Sequence, residues 1–128
     1  MIFGIGIDII EVPRIQKQLT QSERFKERIF TKLEISYCES KRNKAQNYAA
    51  RFAAKESFFK ALGTGWRGGL GFTQVEIIND RLGKPQIRLY GKAKQLIEKR
   101  GITKIHVSLT HLKDTASSIV ILESNQIK

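Results

Sequence analysis

The chain has 128 residues, 41% of them hydrophobic and 27% charged, a balance that does not suggest disorder and fits one domain or one protomer of an oligomer. Lysine and arginine number 23 against 12 acids, a net charge of +11. That field attracts polyanions (nucleic acid, anionic lipid, phosphorylated small molecules or an acidic protein), unless it is simply a solvated basic surface. The single cysteine, Cys38, excludes an intrachain disulfide framework and a cysteine metal cluster, which fits a reducing cytoplasm.

Residues 1–10 are apolar but lack a basic leader and are interrupted by Asp8, so no signal peptide is expected. The longest strictly apolar run, 119–122, is too short to span a bilayer. The expectation is a soluble cytoplasmic protein with no membrane partner.

Residues 2–10 read as a strand, with Ile5, Ile7 and Ile9 on one face and Gly4, Gly6, Asp8 and Ile10 on the other. Pro13 can open a helix in its first turn. Ile15 and Leu19 then stand at i, i+4, and after a break at 20–22 Phe25 and Ile29 repeat that spacing. Thr31-Lys32-Leu33-Glu34 matches a capping box that starts a helix at Lys32. Asn43 followed by Gln46 is a similar start for a longer helix, which runs to Leu62 and can end at Gly63. Five of the ten glycines fall within 63–71, which makes that stretch a loop. Strands follow at 72–79 and 85–90 around a turn at 80–84, then a helix over 91–100 stopped by Gly101, then strands at 104–110 and 115–123. The fold class is α+β, an antiparallel sheet packed against helices, with no repeat or linker to mark a second domain within 1–128.

Two acids stand out. Asp8 ends the first strand beside Gly4 and Gly6, which leave room for a ligand or another backbone. The competing reading is an acid meeting solvent at a strand end. Glu56 shares its side of a helix with Ala49, Phe52, Ala53 and Phe59, all within about 60° at ~100° per residue. A carboxylate on such a stripe needs a cation or strong hydrogen bonds, although Lys60 at i+4 also permits an ordinary helix-surface ion pair. Two hard oxygen ligands from separate elements, without histidine or cysteine nearby, suit magnesium, whose shell is completed by water and phosphate.

Arg51, Lys55 and Lys60 lie on the same helix, and the glycine loop follows it directly. Cations and glycine N–H groups together suit phosphates. No GxxxxGK(S/T) pattern occurs, and a flexible connector explains the glycines equally well. His106, Ser108 and Thr110 alternate with Ile105, Val107 and Leu109, so one strand face carries polar groups for a ligand or for solvent. No nucleophile elbow surrounds Ser108. Arg14, Lys17, Arg24, Lys26, Arg28 and Lys32 outnumber Glu23 and Glu27, which makes either a docking face for an acidic partner or a solvated face.

Taken together these segments resemble the holo-acyl-carrier-protein synthases. Residues 4–12 (GIGIDIIEV) resemble the N-terminal motif of that family, and residues 51–65 (RFAAKESFFKALGTG) its central motif. Asn79-Asp80 with Gly83-Lys84-Pro85, then residues 106–111 (HVSLTH), resemble the later ones, in order and at compatible spacing. The resemblance implies a 4′-phosphopantetheinyl transferase fold. It also implies transfer of 4′-phosphopantetheine from coenzyme A to a serine of apo-acyl carrier protein, with magnesium, in fatty acid biosynthesis, releasing adenosine 3′,5′-bisphosphate. The family's metal ligands fall on Asp8 and Glu56 and its phosphate-contacting lysine on Lys60, and these three form the catalytic set. Coenzyme A contacts fall on Arg51, Lys60, Gly63 and Gly65, and further along on Lys84, Pro85, His106, Ser108 and Thr110. A homotrimer with active sites between protomers is implied as well, with the carrier docking on Arg14, Arg24 and Arg28. Whether Glu56 or a water beside it takes the serine proton stays open. An acidic carrier accounts for the net charge without nucleic acid, and neither a zinc-finger pattern nor an RNP1-type aromatic motif is present. A non-catalytic carrier binder that uses only the basic face is the remaining alternative.

Overall fold

The computed structural model describes residues 1–65 and 67–125; Trp66, within the glycine-rich run, and residues 126–128 lie outside them. The first strand, β1 (Ile2–Glu11), passes directly into α1 (Val12–Gln21), with Pro13 in its opening turn. Ser22 ends α1 and caps α2 (Glu23–Ile29), its hydroxyl accepting from Phe25 N at 3.3 Å. This is the break expected at 20–22. The capping box forms at α3 (Lys32–Glu39): Glu34 N donates to Thr31 Oγ1 at 3.3 Å, and Thr31 N to Glu34 Oε1 at 2.8 Å. The long helix α4 (Lys44–Leu62) ends at Gly63, whose φ of +80° an L side chain rarely adopts. Its start falls where Asn43 suggested, but for another reason. The Asn43 side chain caps nothing, its carbonyl accepts from Asn47 Nδ2 at 2.9 Å, and Gln46 instead bonds His111 Nδ1 at 2.8 Å.

The second half departs further from expectation. Phe72–Gln74 form a 3-10 turn, so β2 is only Val75–Asn79. The turn carries the Phe72 ring onto Phe52, with centroids 5.5 Å apart, and onto Phe59, at 5.7 Å. After β3 (Pro85–Leu89) comes α5 (Gly91–Lys99), whose first turn is capped from a distance by Gln74 Oε1, which accepts from Ala93 N at 3.0 Å. The last strands, β4 (Ile102–His111) and β5 (Thr115–Ser124), extend beyond the expected segments. Among the described residues the antiparallel strands make two sheets rather than one: β1-β5-β4, with β5 central, and the separate hairpin β2-β3. Among the described residues no helix is long and apolar enough to cross a membrane.

Helix α4 lies across β1 and β5 and divides the core into two apolar clusters. Its close seat on β1 depends on two glycines. A Cβ on Gly4 would stand 2.0 Å from Ala61 O, and one on Gly6 1.9 Å from Ser57 O. The room beside Asp8 is therefore filled by another backbone. This also decides which face of β1 points inward: Gly4, Gly6, Asp8 and Ile10 meet α4, while Ile5, Ile7 and Ile9 face outward, 57%, 63% and 70% exposed.

Candidate active site

The glycine-mediated contact brings the end of β1 against the middle of α4. Lys60 Nζ donates to Asp8 Oδ1 at 2.9 Å and to Ile7 O at 3.0 Å. The ammonium thus pairs with the acid on the neighbouring strand, and the within-helix pair with Glu56 that the i+4 spacing allowed does not form. Ser117 Oγ, on β5, donates to Asp8 O at 3.1 Å and fixes the strand backbone at that point. Nothing in the spacing of the sequence singled out Ser117.

Glu56 is half-buried, and burial pushes its carboxyl above the usual carboxylate range, with the negative charge of Asp8 adding to the effect and Lys60 opposing it. The two carboxylates therefore repel within a partly dry site, a situation a cation relieves. Among the described residues no group of three or more His, Cys, Asp or Glu gathers to hold a metal. The donor set is thus two oxygen ligands from separate elements, which suits magnesium, an ion that keeps waters and takes phosphate oxygens. Asp8 and Glu56 fit that ion.

Both acids open into one cleft of about 600 Å³, whose walls include Arg14 and Gln18 of α1, Phe25 and Arg28 of α2, and Phe52 of α4. Two of the three expected docking arginines thus border the same space as the acids. Arg24 is exposed on α2 and does not line this cleft. The hydrophobic repeat of α1 and α2 explains the placement. Val12, Ile15 and Ile29 turn into the core, which leaves Arg14 and Arg28 at the rim.

The other residues singled out by sequence fall elsewhere. Lys55 is not a phosphate cation. It is fully buried, with Nζ donating to Glu34 Oε1 at 2.8 Å, Phe72 O at 2.9 Å and Val75 O at 2.7 Å. Arg51 lies about 140° around α4 from Glu56, given ~100° per residue. Its guanidinium covers the Tyr37 ring at 3.9 Å and donates to Asn79 Oδ1 at 2.5 Å. A cleft of about 450 Å³ lies there, lined by Arg51, Tyr37, Asn79 and Asp80. Pro85 pairs with Asn79 across the hairpin, and Lys84 N donates to Asp80 Oδ1 at 2.9 Å. Gly63 lines a third cleft, of about 500 Å³, between the glycine loop and α5, and Gly65 stands in that loop with φ +62°.

His106, Ser108 and Thr110 stand opposite Ile121, Ile119 and Ser117 in the β4–β5 ladder, and Ile5, Ile7 and Ile9 oppose the same three residues from β1. They therefore belong to the outward face of the sheet, with the exposed isoleucines, whereas Asp8, Glu56 and Lys60 lie on the α4 side. His106 Nε2 bonds Glu123 Oε1 at 2.5 Å, and that contact, led by its hydrogen bond, holds the Glu123 carboxyl below its usual range. Within one chain the sheet separates these two groups of residues.

A sequence profile described as the 4′-phosphopantetheinyl transferase superfamily matches residues 4–118. The holo-[acyl-carrier-protein] synthase of Geobacter sp. (strain M21) is 48% identical over 124 residues, which is 96% of this chain and 99% of that one. The crystal structure of the holo-[acyl-carrier-protein] synthase from Neisseria meningitidis matches with a TM-score of 0.89 at 35% identity, covering 97% of this chain and 100% of that one. The structure of the synthase from Bacillus anthracis str. Ames in complex with CoA (3′,5′-ADP) gives 0.82 at 38% identity, covering 98% and 99%. With a family profile over residues 4–118 and relatives alike in sequence and in backbone over nearly the whole length, the chain belongs to the holo-[acyl-carrier-protein] synthases of the 4′-phosphopantetheinyl transferase superfamily and is an enzyme of that class.

Proposed function

We propose that residues 1–128 form one cytoplasmic transferase domain that moves 4′-phosphopantetheine from coenzyme A to a serine of an apo-acyl carrier protein in fatty acid biosynthesis, with magnesium, releasing adenosine 3′,5′-bisphosphate. The observation that carries this reading is the shared cleft of Asp8, Glu56, Arg14 and Arg28. It joins a site for a hard cation to a rim suited to an acidic protein.

The serine oxygen attacks the phosphorus that bears pantetheine, and the bond from that phosphorus to the oxygen of the adenosine bisphosphate breaks. Negative charge grows on the phosphoryl oxygens and the leaving group. Magnesium at Asp8 and Glu56 would supply Lewis-acid stabilisation of that charge. Lys60 offers ammonium donors to the same oxygens. Burial raises the proton affinity of Glu56, so it, or a water beside it, suits the role of acceptor for the serine proton. Arg14, Arg24 and Arg28 hold the acidic carrier, their attraction falling with salt.

The remaining coenzyme A contacts are shared between copies of the chain. Arg51 lines one cleft, Lys84 and Pro85 pair with its wall residues Asp80 and Asn79, and Gly63 and Gly65 belong to the loop after Lys60, while His106, Ser108 and Thr110 occupy the outward face. That face also bears Ile5, Ile7 and Ile9, an apolar patch of the kind that marks protein contact. A homotrimer closed over it would bury the isoleucines and carry His106 of one protomer towards Asp8 of the next.

The test is the mass of an apo-acyl carrier protein after incubation with the enzyme, coenzyme A and Mg²⁺. A gain of one phosphopantetheine, abolished by a chelator, is expected. A carrier that binds but keeps its mass would make the chain a binder only.

A further inference from the structure

The cation on Asp8 in this structure is the chain's own Lys60. Of the three protons on Nζ, one is directed to Asp8 Oδ1 at 2.9 Å and one to Ile7 O at 3.0 Å. That leaves one donor for any anionic oxygen brought by a substrate. The Lys60 side chain is 53% exposed and the Asp8 side chain 16%. The lysine therefore reaches the acid from the solvent side, over a stem free to swing. A divalent cation on Asp8 would stand close to the Lys60 ammonium on Oδ1, and their like charges oppose each other at that range.

We infer that Lys60 and the divalent metal exchange at Asp8: Lys60 holds the carboxylate while the metal is absent, and metal arrival releases its ammonium towards the anionic oxygens of the substrate. This rests on the metal reading above and adds an order to it. Metal loading precedes full engagement of the phosphate by Lys60. The exchange also gives the ion pair a purpose apart from stability. An exposed lysine pair contributes little to folding, but it keeps the negative Asp8–Glu56 site compensated until the metal enters. The connection to Ile7 O fixes where the ammonium waits, one residue from the ligand it covers.

The experiment uses the full-length wild-type protein with Mn²⁺ or Mg²⁺ alone, without coenzyme A. The Lys60 ζ-NH₃⁺ resonance, assigned by its loss in Lys60→Met, is followed by ¹⁵N NMR during Mg²⁺ titration, and Mn²⁺ affinity is measured by electron paramagnetic resonance. The resonance should be slowed in exchange and hydrogen-bonded in the metal-free protein and should lose that protection on saturation. Lys60→Met should bind Mn²⁺ tighter, by up to about fivefold, the scale of one competing exposed ion pair. Metal binding with an unchanged ζ-NH₃⁺ signal overturns the exchange while leaving the metal site standing. Equal or weaker Mn²⁺ binding by a folded Lys60→Met also overturns it. Absence of Mn²⁺ binding to the wild type overturns the metal reading itself.

Discussion

Lys55 Nζ and Glu34 Oε1 lie 2.8 Å apart with both side chains fully excluded from solvent, so the residue next to Glu56 is anchored to α3 instead of facing a substrate. Glu34 is also bonded by Ile77 N at 2.7 Å, which ties α3, α4 and β2 at one point. Burial pushes the Lys55 ammonium below its usual range, and Glu34 opposes that shift. Removing one partner leaves the other charge buried alone. Lys55→Met should cost about 3–5 kcal/mol in urea unfolding. Adding Glu34→Gln should cost much less than its own single effect, because the two share one interaction. A loss under about 1 kcal/mol for Lys55→Met would show that the pair contributes little.

Gly6→Ala tests how β1 presents Asp8. The new methyl would meet Ser57 O at 1.9 Å and Ala61 N at 2.7 Å, both backbone atoms with little freedom to yield. The strand must lift from α4, so stability should fall by at least the ~1–3 kcal/mol typical of overpacking. Metal affinity should fall with it, because Asp8 moves away from Glu56. Wild-type metal affinity in a folded Gly6→Ala would contradict the assigned role of the close approach.

The acid limb of stability should depend on Glu39. Its carboxyl is held down at about 2, from 4.5, by hydrogen bonds from Tyr48 and Lys44, with Lys26 contributing less. A lowered acid stabilises the fold above its unfolded value, and that contribution fades as pH drops towards the folded value. Glu39→Gln should therefore lower Tm at neutral pH, with the gap to wild type closing between about 4.5 and about 2. A gap independent of pH would assign the effect to packing alone.

Complementation tests the division of the site between copies. Asp8→Ala and His106→Ala should each be poorly active, since their positions lie on opposite faces of the sheet. Refolded together, they should regain activity above the mean of the two, because mixed oligomers contain sites with both residues intact. Activity equal to that mean would place the whole site within one chain.

Much of this architecture could be read from local signals. The Ser22 break, the Thr31–Glu34 box and the Gly63 stop are set by residues within four positions of the boundaries they mark. What local signals could not reveal are pairings across the chain. Lys55 meets a partner 21 residues away, and Lys60 one 52 residues away. A shared helix ahead of the glycine loop therefore grouped Lys55 with phosphate cations, and the i+4 spacing offered Lys60 to Glu56. Alternation in β1 showed two faces but not which one turns inward. That was decided by α4, whose backbone tolerates glycine where it would reject isoleucine. Asp8 and Glu56 drew notice in the sequence through the strand glycines and the apolar helical stripe, each beside a plainer explanation, and the fold opens both into one cleft.

The most direct test of the Asp8–Glu56 assignment is a mass spectrum of apo-acyl carrier protein after reaction with coenzyme A and Mg²⁺, comparing the wild type with Asp8→Ala and Glu56→Ala. Wild type should add one phosphopantetheine to the carrier. Each variant should be slower on the order of 100-fold or more, the scale for loss of a preorganised electrostatic group. Near-wild-type transfer by both folded variants would contradict the assignment of these two carboxylates to the reacting centre.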